Sequence, residues 1–172
     1  MRIVKIVLLL VALTISFGQI PQKTLPMLEK KQDSFRQAIR LEKIGELEAA
    51  ETIYLELLEV NPKDTRIFLQ LKALYRKQEK YEDLKVVLLE RVRTFNRDLQ
   101  SHVELGEVFL LMDEREKAKQ YWNNLRFQFG ETRSIYYMLI QMYLKHSLDE
   151  EMNELVDAGR KHFDDPSFLS LE

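Results

Sequence analysis

The stretch Ala38-Ile39-Arg40-Leu41-Glu42-Lys43-Ile44-Gly45-Glu46-Leu47-Glu48-Ala49-Ala50-Glu51-Thr52-Ile53-Tyr54 decides how this chain is read. Before Gly45, the apolar residues Phe35, Ala38, Ile39 and Leu41 recur at the spacing of one helical face. After it, Leu47, Ala50, Ile53, Tyr54 and Leu57 do the same. Gly45 stands between the two patterns, where a helix end calls for a left-handed residue. Asn61-Pro62 closes the second pattern, because the residue before proline is pushed out of the helical region. Asp64 is placed to cap the helix that follows.

Counting outward from this stretch, the same residue types return at a fixed interval of 34. One ladder runs through Leu41, Tyr75, Phe109 and Tyr143. A second passes Tyr54, Leu88, Trp122 and Val156, and a third Ala50, Leu84, Ala118 and Met152. A period of this length marks an array of supersecondary units, each burying its apolar face on its neighbours. The helical spacing of the aromatic rungs makes them core rather than a platform for stacking bases.

In type and spacing, Ala38, Leu41, Gly45, Leu47, Ala50, Tyr54, Leu57 and Pro62 resemble the signature of the tetratricopeptide repeat (TPR). The resemblance continues through Phe68, Leu71, Tyr75, Tyr81 and Leu88; through Leu105, Gly106, Phe109, Ala118, Trp122 and Leu125; and through Tyr136, Leu139, Tyr143, Leu148, Val156 and Pro166. It implies an all-α fold, a right-handed α-solenoid of about four helix-turn-helix units over 27–172. The repeats fall at about 31–64, 65–98, 99–132 and 133–166, followed by a short terminal or truncated helix that Asp165-Pro166-Ser167-Phe168 would open.

The capping chemistry reads in the same register. Asp113 with Glu116, and Ser147 with Glu150, fit the capping box, and Thr132 is a plausible N-cap for the fourth unit. Some positions depart from the pattern. Lys72 stands where Ala38 and Gly106 allow two helices close approach, so it must snorkel or spread them. Asn96 and Asp164 replace the closing proline, and Gly159 inside the last helix costs about 1 kcal/mol relative to alanine.

The first segment carries a different message. Met1-Arg2-Ile3-Val4-Lys5 is short and positive, Ile6 to Phe17 is uncharged and apolar, and Ser16 and Gly18 are small. This is the three-part pattern of a secretory signal peptide over 1–18, with a linker at 19–26. Export to the periplasm or beyond is therefore expected, the alternative being an inner-membrane anchor formed by residues 3–17.

Bulk composition excludes more than it specifies. With 26 basic and 28 acidic residues, a net charge of -2 gives no global attraction to nucleic acid. The chain has no cysteine, which removes disulfides, thiol catalysis and thiolate metal sites. His102, His146 and His162 show no metal-ligand spacing, and the acids at 113–114 and 149–151 offset helix dipoles. Neither a phosphate loop nor a nucleophile motif is present, so no enzyme, metal or cofactor is expected.

What the resemblance implies is binding in a concave groove lined by the first helices. The usual groove positions are Phe35, Ile39 and Lys43; Leu69, Ala73 and Arg76; Val103, Glu107 and Leu110; and Tyr137, Gln141 and Leu144. One TPR subgroup holds the C-terminal carboxylate of heat-shock chaperones through a lysine and an asparagine there. Phe35 and Ile39 stand in those places, so that mode is not implied. The expected partner is a protein or peptide, such as an amphipathic helix or an apolar segment. The expected role is a scaffold of the bacterial cell envelope, with two alternatives: the N-terminal module of a longer multidomain protein, or a self-assembling scaffold.

Overall fold

The computed structural model describes residues 25–168, so the leader 1–18, most of the linker and residues 169–172 lie outside it. Among the described residues there are eight helices: α1 Leu25–Ile44, α2 Leu47–Val60, α3 Thr65–Lys77, α4 Tyr81–Thr94, α5 Leu99–Leu111, α6 Arg115–Gln128, α7 Arg133–Lys145 and α8 Asp149–Phe163. The all-α fold class is as expected, and none of these helices is long and apolar enough to cross a membrane. The chain divides into two compact units, Met1–Ile67 and Phe68–Glu172, with the division inside α3.

In the first unit α1 packs on α2. Ala38 and Ala50 are fully buried, and small residues there let the two backbones approach. Tyr54 fills the remaining space, its ring 6.0 Å from that of Phe35 and its hydroxyl donating to Glu42 at 3.1 Å. Burial and the Glu42 charge push the Tyr54 phenol well above its ordinary range.

The second unit is built around Trp122. Its ring meets Tyr143 edge-on at 5.2 Å, and its Nε1 donates to the Val103 carbonyl at 3.0 Å. Gly106 makes this possible, since a Cβ there would lie 2.0 Å from Nε1. Ala118 belongs to the same cluster, and Leu84 and Leu88 of α4 are fully buried as well, so these rungs are core. The outer ladder is less uniform: Tyr75 and Tyr143 are buried, Leu41 and Phe109 only half-buried.

Each first helix ends in the same backbone closure. Gly45, Glu79, Asp113 and Ser147 all have positive φ, at 88°, 56°, 63° and 54°. The next amide then donates back to the carbonyl five residues earlier: Glu46 to Leu41, Lys80 to Tyr75, Glu114 to Phe109 and Leu148 to Tyr143, at 2.8–3.0 Å. This is the Schellman closure, and only its first member is a glycine.

The closure corrects the reading of Asp113 and Ser147 as N-caps of capping boxes. Both end the preceding helix in the left-handed region, and the N-cap positions fall one residue later, at Glu114 and Leu148, without a side-chain cap. Thr132 does occupy the N-cap of α7, with no side-chain bond. Asp64 caps α3 by accepting from the Arg66 amide at 3.2 Å. Asp98, in the equivalent place before α5, accepts from Ser101 and had not been singled out from the sequence.

Beyond α8, residues 166–168 form a turn, and the rest of the expected terminal helix lies outside the described residues. Phe168 is buried against Gly159, where a Cβ would lie 2.3 Å from its ring, and packs near Tyr136 and Phe163. The helix-weakening glycine is thus the seat for an aromatic side chain.

Non-glycine residues in the left-handed region carry a strain of about 1 kcal/mol. Glu79→Gly should therefore raise the stability of the folded chain by up to about 1 kcal/mol, read from the urea midpoint at unchanged slope. A loss of stability would mean that the Glu79 side chain, rather than its backbone, matters.

Candidate partner-binding surface

The residues expected to line the groove do not share one environment. In the first unit Phe35 and Ile39 are half-buried and Lys43 is exposed. Phe35 packs on Tyr54, lies under the Arg66 guanidinium at 5.7 Å, and borders a cavity of about 330 Å³ with Lys31, Asp64 and Ile67. Asp64, at the edge of that cavity, is within 3.3 Å of both Lys31 and Arg66. Burial works against its charge, but these partners hold its carboxyl below the usual range.

In the second unit two sets of groove residues are open to solvent. On α3, Leu69 is 46% exposed and Ala73 is also exposed. On α7, Tyr137 and Leu144 are 53% and 38% exposed, with Gln141 exposed between them. Their spacing places the α7 residues on one face of the helix. Leu110 on α5 is half-buried.

Val103 and Glu107 are corrections. Val103 is 0% and Glu107 1% exposed, so neither offers an anchor to a partner. The run from Ser101 to Val108 on α5 is buried on every side. Apolar and small residues explain most of that run, but Glu104 and Glu107 require cations.

Those cations come from the flanking first helices. Glu107 accepts from Arg76 of α3 at 2.6 Å through Oε2. Its Oε1 accepts from Lys145 at 2.6 Å and from His146, just past α7, at 3.0 Å. Glu104 lies 2.8 Å from the Lys72 ammonium and accepts from Gln100 at 2.8 Å. Lys72 thus resolves its misfit by reaching a carboxylate one repeat away. Burial alone would raise the Glu107 pKa, but the bonds from Lys145 and Arg76 outweigh it and lower it from 4.5 to about 2.

The sequence names Arg76 and Glu107 as groove positions but does not reveal Lys72, Glu104, Lys145 and His146 as members of one network with them. The residues joined by these bonds are 31 to 39 positions apart, close to one repeat length. Aligning the repeats and looking for opposite charges across them would have exposed the pattern.

Elsewhere His102 is a buried packing residue. Its Nδ1 meets the Tyr121 hydroxyl at 2.9 Å and its Nε2 the Asn96 carbonyl at 3.2 Å. Among the described residues no group of three or more His, Asp or Glu is placed to hold a metal ion.

No protein-family model matches the sequence, and no curated protein matches it. Solved structures do. A MamA structure from Desulfovibrio magneticus RS-1 is 16% identical over 81% of this chain and 77% of its own, with a TM-score of 0.51. Another crystal structure of a MamA protein is 16% identical over 77% of this chain and 73% of its own, at 0.52. A tetratricopeptide repeat protein from Parabacteroides merdae is 14% identical over 77% of this chain and 53% of its own, at 0.53. The fold is TPR-like. At these identities the likeness concerns architecture alone.

The lowered Glu107 pKa sets the direction of a pH test. A carboxyl held below its ordinary value contributes stability that is present above pH 4.5 and lost as pH falls through about 2. Glu107→Gln should cost roughly 3 kcal/mol near neutrality. The difference from the parent chain should shrink steadily between pH 5 and pH 2, to be followed by denaturant unfolding at each pH. A difference independent of pH would remove the charge from the explanation.

Proposed function

We propose that this chain is a non-enzymatic scaffold of the bacterial cell envelope that captures a segment of a partner protein on the inner face of its first helices. The observation that carries the reading is the α7 face. Tyr137, Gln141 and Leu144 stand exposed in one row, while Tyr136, Leu139, Ile140 and Tyr143 of the same helix are committed to the core. An exposed apolar row on an otherwise well-buried helix marks a contact site. Packed helices present such a row with little ordering cost on binding. Common ancestry with the solved structures is not needed for this reading; the TPR-like fold supports protein interaction in general.

Export rests on the first 18 residues, whose basic start, uncharged apolar run and small residues near Gly18 have the form of a cleaved leader. Mass spectrometry of the chain recovered from a bacterial periplasmic fraction should find Gln19 as the first residue. Recovery only in the cytosol with Met1 retained would end the envelope assignment.

Binding is tested separately, by photo-crosslinking in cells. A crosslinking amino acid at Tyr137 or Leu144 should give a defined adduct, and one at Val86, an exposed residue of α4, should not. Adducts from Val86 alone would move the contact surface to the second helices.

A further inference from the structure

The first helices of the second unit are charged in a way their apolar row does not explain. From Phe68 onward, α3, α5 and α7 contain Lys72, Arg76, Lys77, Arg133 and Lys145, against only Glu104 and Glu107. Both acids lie on α5 and are buried, whereas α3 and α7 contain no acidic residue at all. The second helices of the same unit balance only in sum: α4 is even, α6 holds more bases than acids, and α8 more acids than bases. Taken as sets, the first helices carry a surplus of cations and the second helices none.

Its placement matters as much as its sign. The exposed row of α7 runs from Arg133 through Tyr137, Gln141 and Leu144 to Lys145. A basic residue stands at each end, with an uncharged middle. The Arg133 and Lys145 side chains are each more than half exposed. Arg133 already pairs with Asp165, and its guanidinium lies over Phe163 and Phe168, which holds it in one place. Lys145 is tethered by Glu107, which it shares with Arg76. The carboxylate thus brings the α3 and α7 cations together at one end of the row. Arg76 also lies 3.7 Å from Glu104, so Lys72, Arg76 and Lys145 together face two buried acids and leave a net positive charge there.

We propose that the partner of this face is an amphipathic helical segment whose apolar stripe is flanked by acidic residues. The inference rests on the scaffold reading above and adds the chemistry of the guest. The stripe would lie on Tyr137 and Leu144, and its acids would meet Lys145 and Arg76 at one end and Arg133 at the other. Opposite charge around an apolar contact mainly sets partner choice and association rate, by steering the right guest and repelling the wrong one. The chain's own apolar leader does not fit this description, because Arg2 and Lys5 flank it.

The test uses the chain from Gln19 onward and three synthetic helical peptides about 14 residues long, enough to span α7 at about 1.5 Å per residue. All share one leucine stripe, and their ends carry glutamates, lysines or glutamines. Fluorescence anisotropy at low salt should show the glutamate peptide binding at least roughly tenfold tighter than the lysine peptide, with the gap closing as salt is raised. Tyr137→Asp should weaken all three. Lys145→Gln leaves Arg76 and His146 on Glu107; it should weaken the glutamate peptide several-fold and leave the glutamine peptide unchanged, with circular dichroism checking the fold.

Equal affinity for all three peptides, lost in Tyr137→Asp, would overturn the charge inference and leave the scaffold reading standing. Tighter binding of the lysine peptide would overturn it as well. So would no binding of any peptide at about 1 mM, and crosslinking at Tyr137 would then show separately whether that surface has a partner of another kind.

Discussion

The backbone carbonyls of Leu41, Tyr75, Phe109 and Tyr143 each accept an amide from five residues further on, and the architecture depends on that bond. A first helix must stop and reverse within two or three residues if a second is to pack on it. The closure does this by placing one residue in the left-handed region, which also satisfies carbonyls that the helix end would otherwise leave without partners. Because it recurs at the same place in every repeat, the apolar faces of successive helices keep the register that core packing needs. Glu79, Asp113 and Ser147 accept the unfavourable conformation because the bonds and the packing on either side of the turn outweigh it.

Within the second unit, packing imposes a second constraint. Trp122 needs the space above Gly106, and the resulting close approach buries α5 on all sides. Two carboxylates caught in that burial have to be matched by hydrogen-bonding cations, since an unpaired buried charge would be far more costly than the pair. Lys72, Arg76, Lys145 and His146 supply the match from helices on either side. The inner side of this unit is therefore apolar at the exposed row of α7 and ionic beside it. The same bonds that stabilise α5 fix where the surface cations stand.

Local chemistry was read well where one side chain or one turn decides the outcome. Gly45 and Asn61-Pro62 end their helices as expected, and Asp64 caps the next. Asp113 and Ser147 were misread because an acid or a serine three residues before a glutamate looks the same in sequence, whether it starts one helix or ends another. Gly159 looked like a defect until Phe168 was found seated on it. The burial of Phe168 against Tyr136, Gly159 and Phe163 depends on neighbours that no local pattern reveals.

The sequence by itself determined the repeat length, the helix pairs and most of the core. All of these follow from a helical period and a 34-residue recurrence that survive even when individual residues change. Only the tertiary structure decided which inner-face positions are open. Val103 and Glu107 occupy the same repeat positions as Tyr137 and Gln141, yet the first pair is buried and the second exposed. The physical reason is that exposure depends on what the neighbouring helices place over a residue. Here Val103 is covered by the apolar cluster around Trp122, and Glu107 by cations about one repeat away, neither of which the spacing within a single helix reveals.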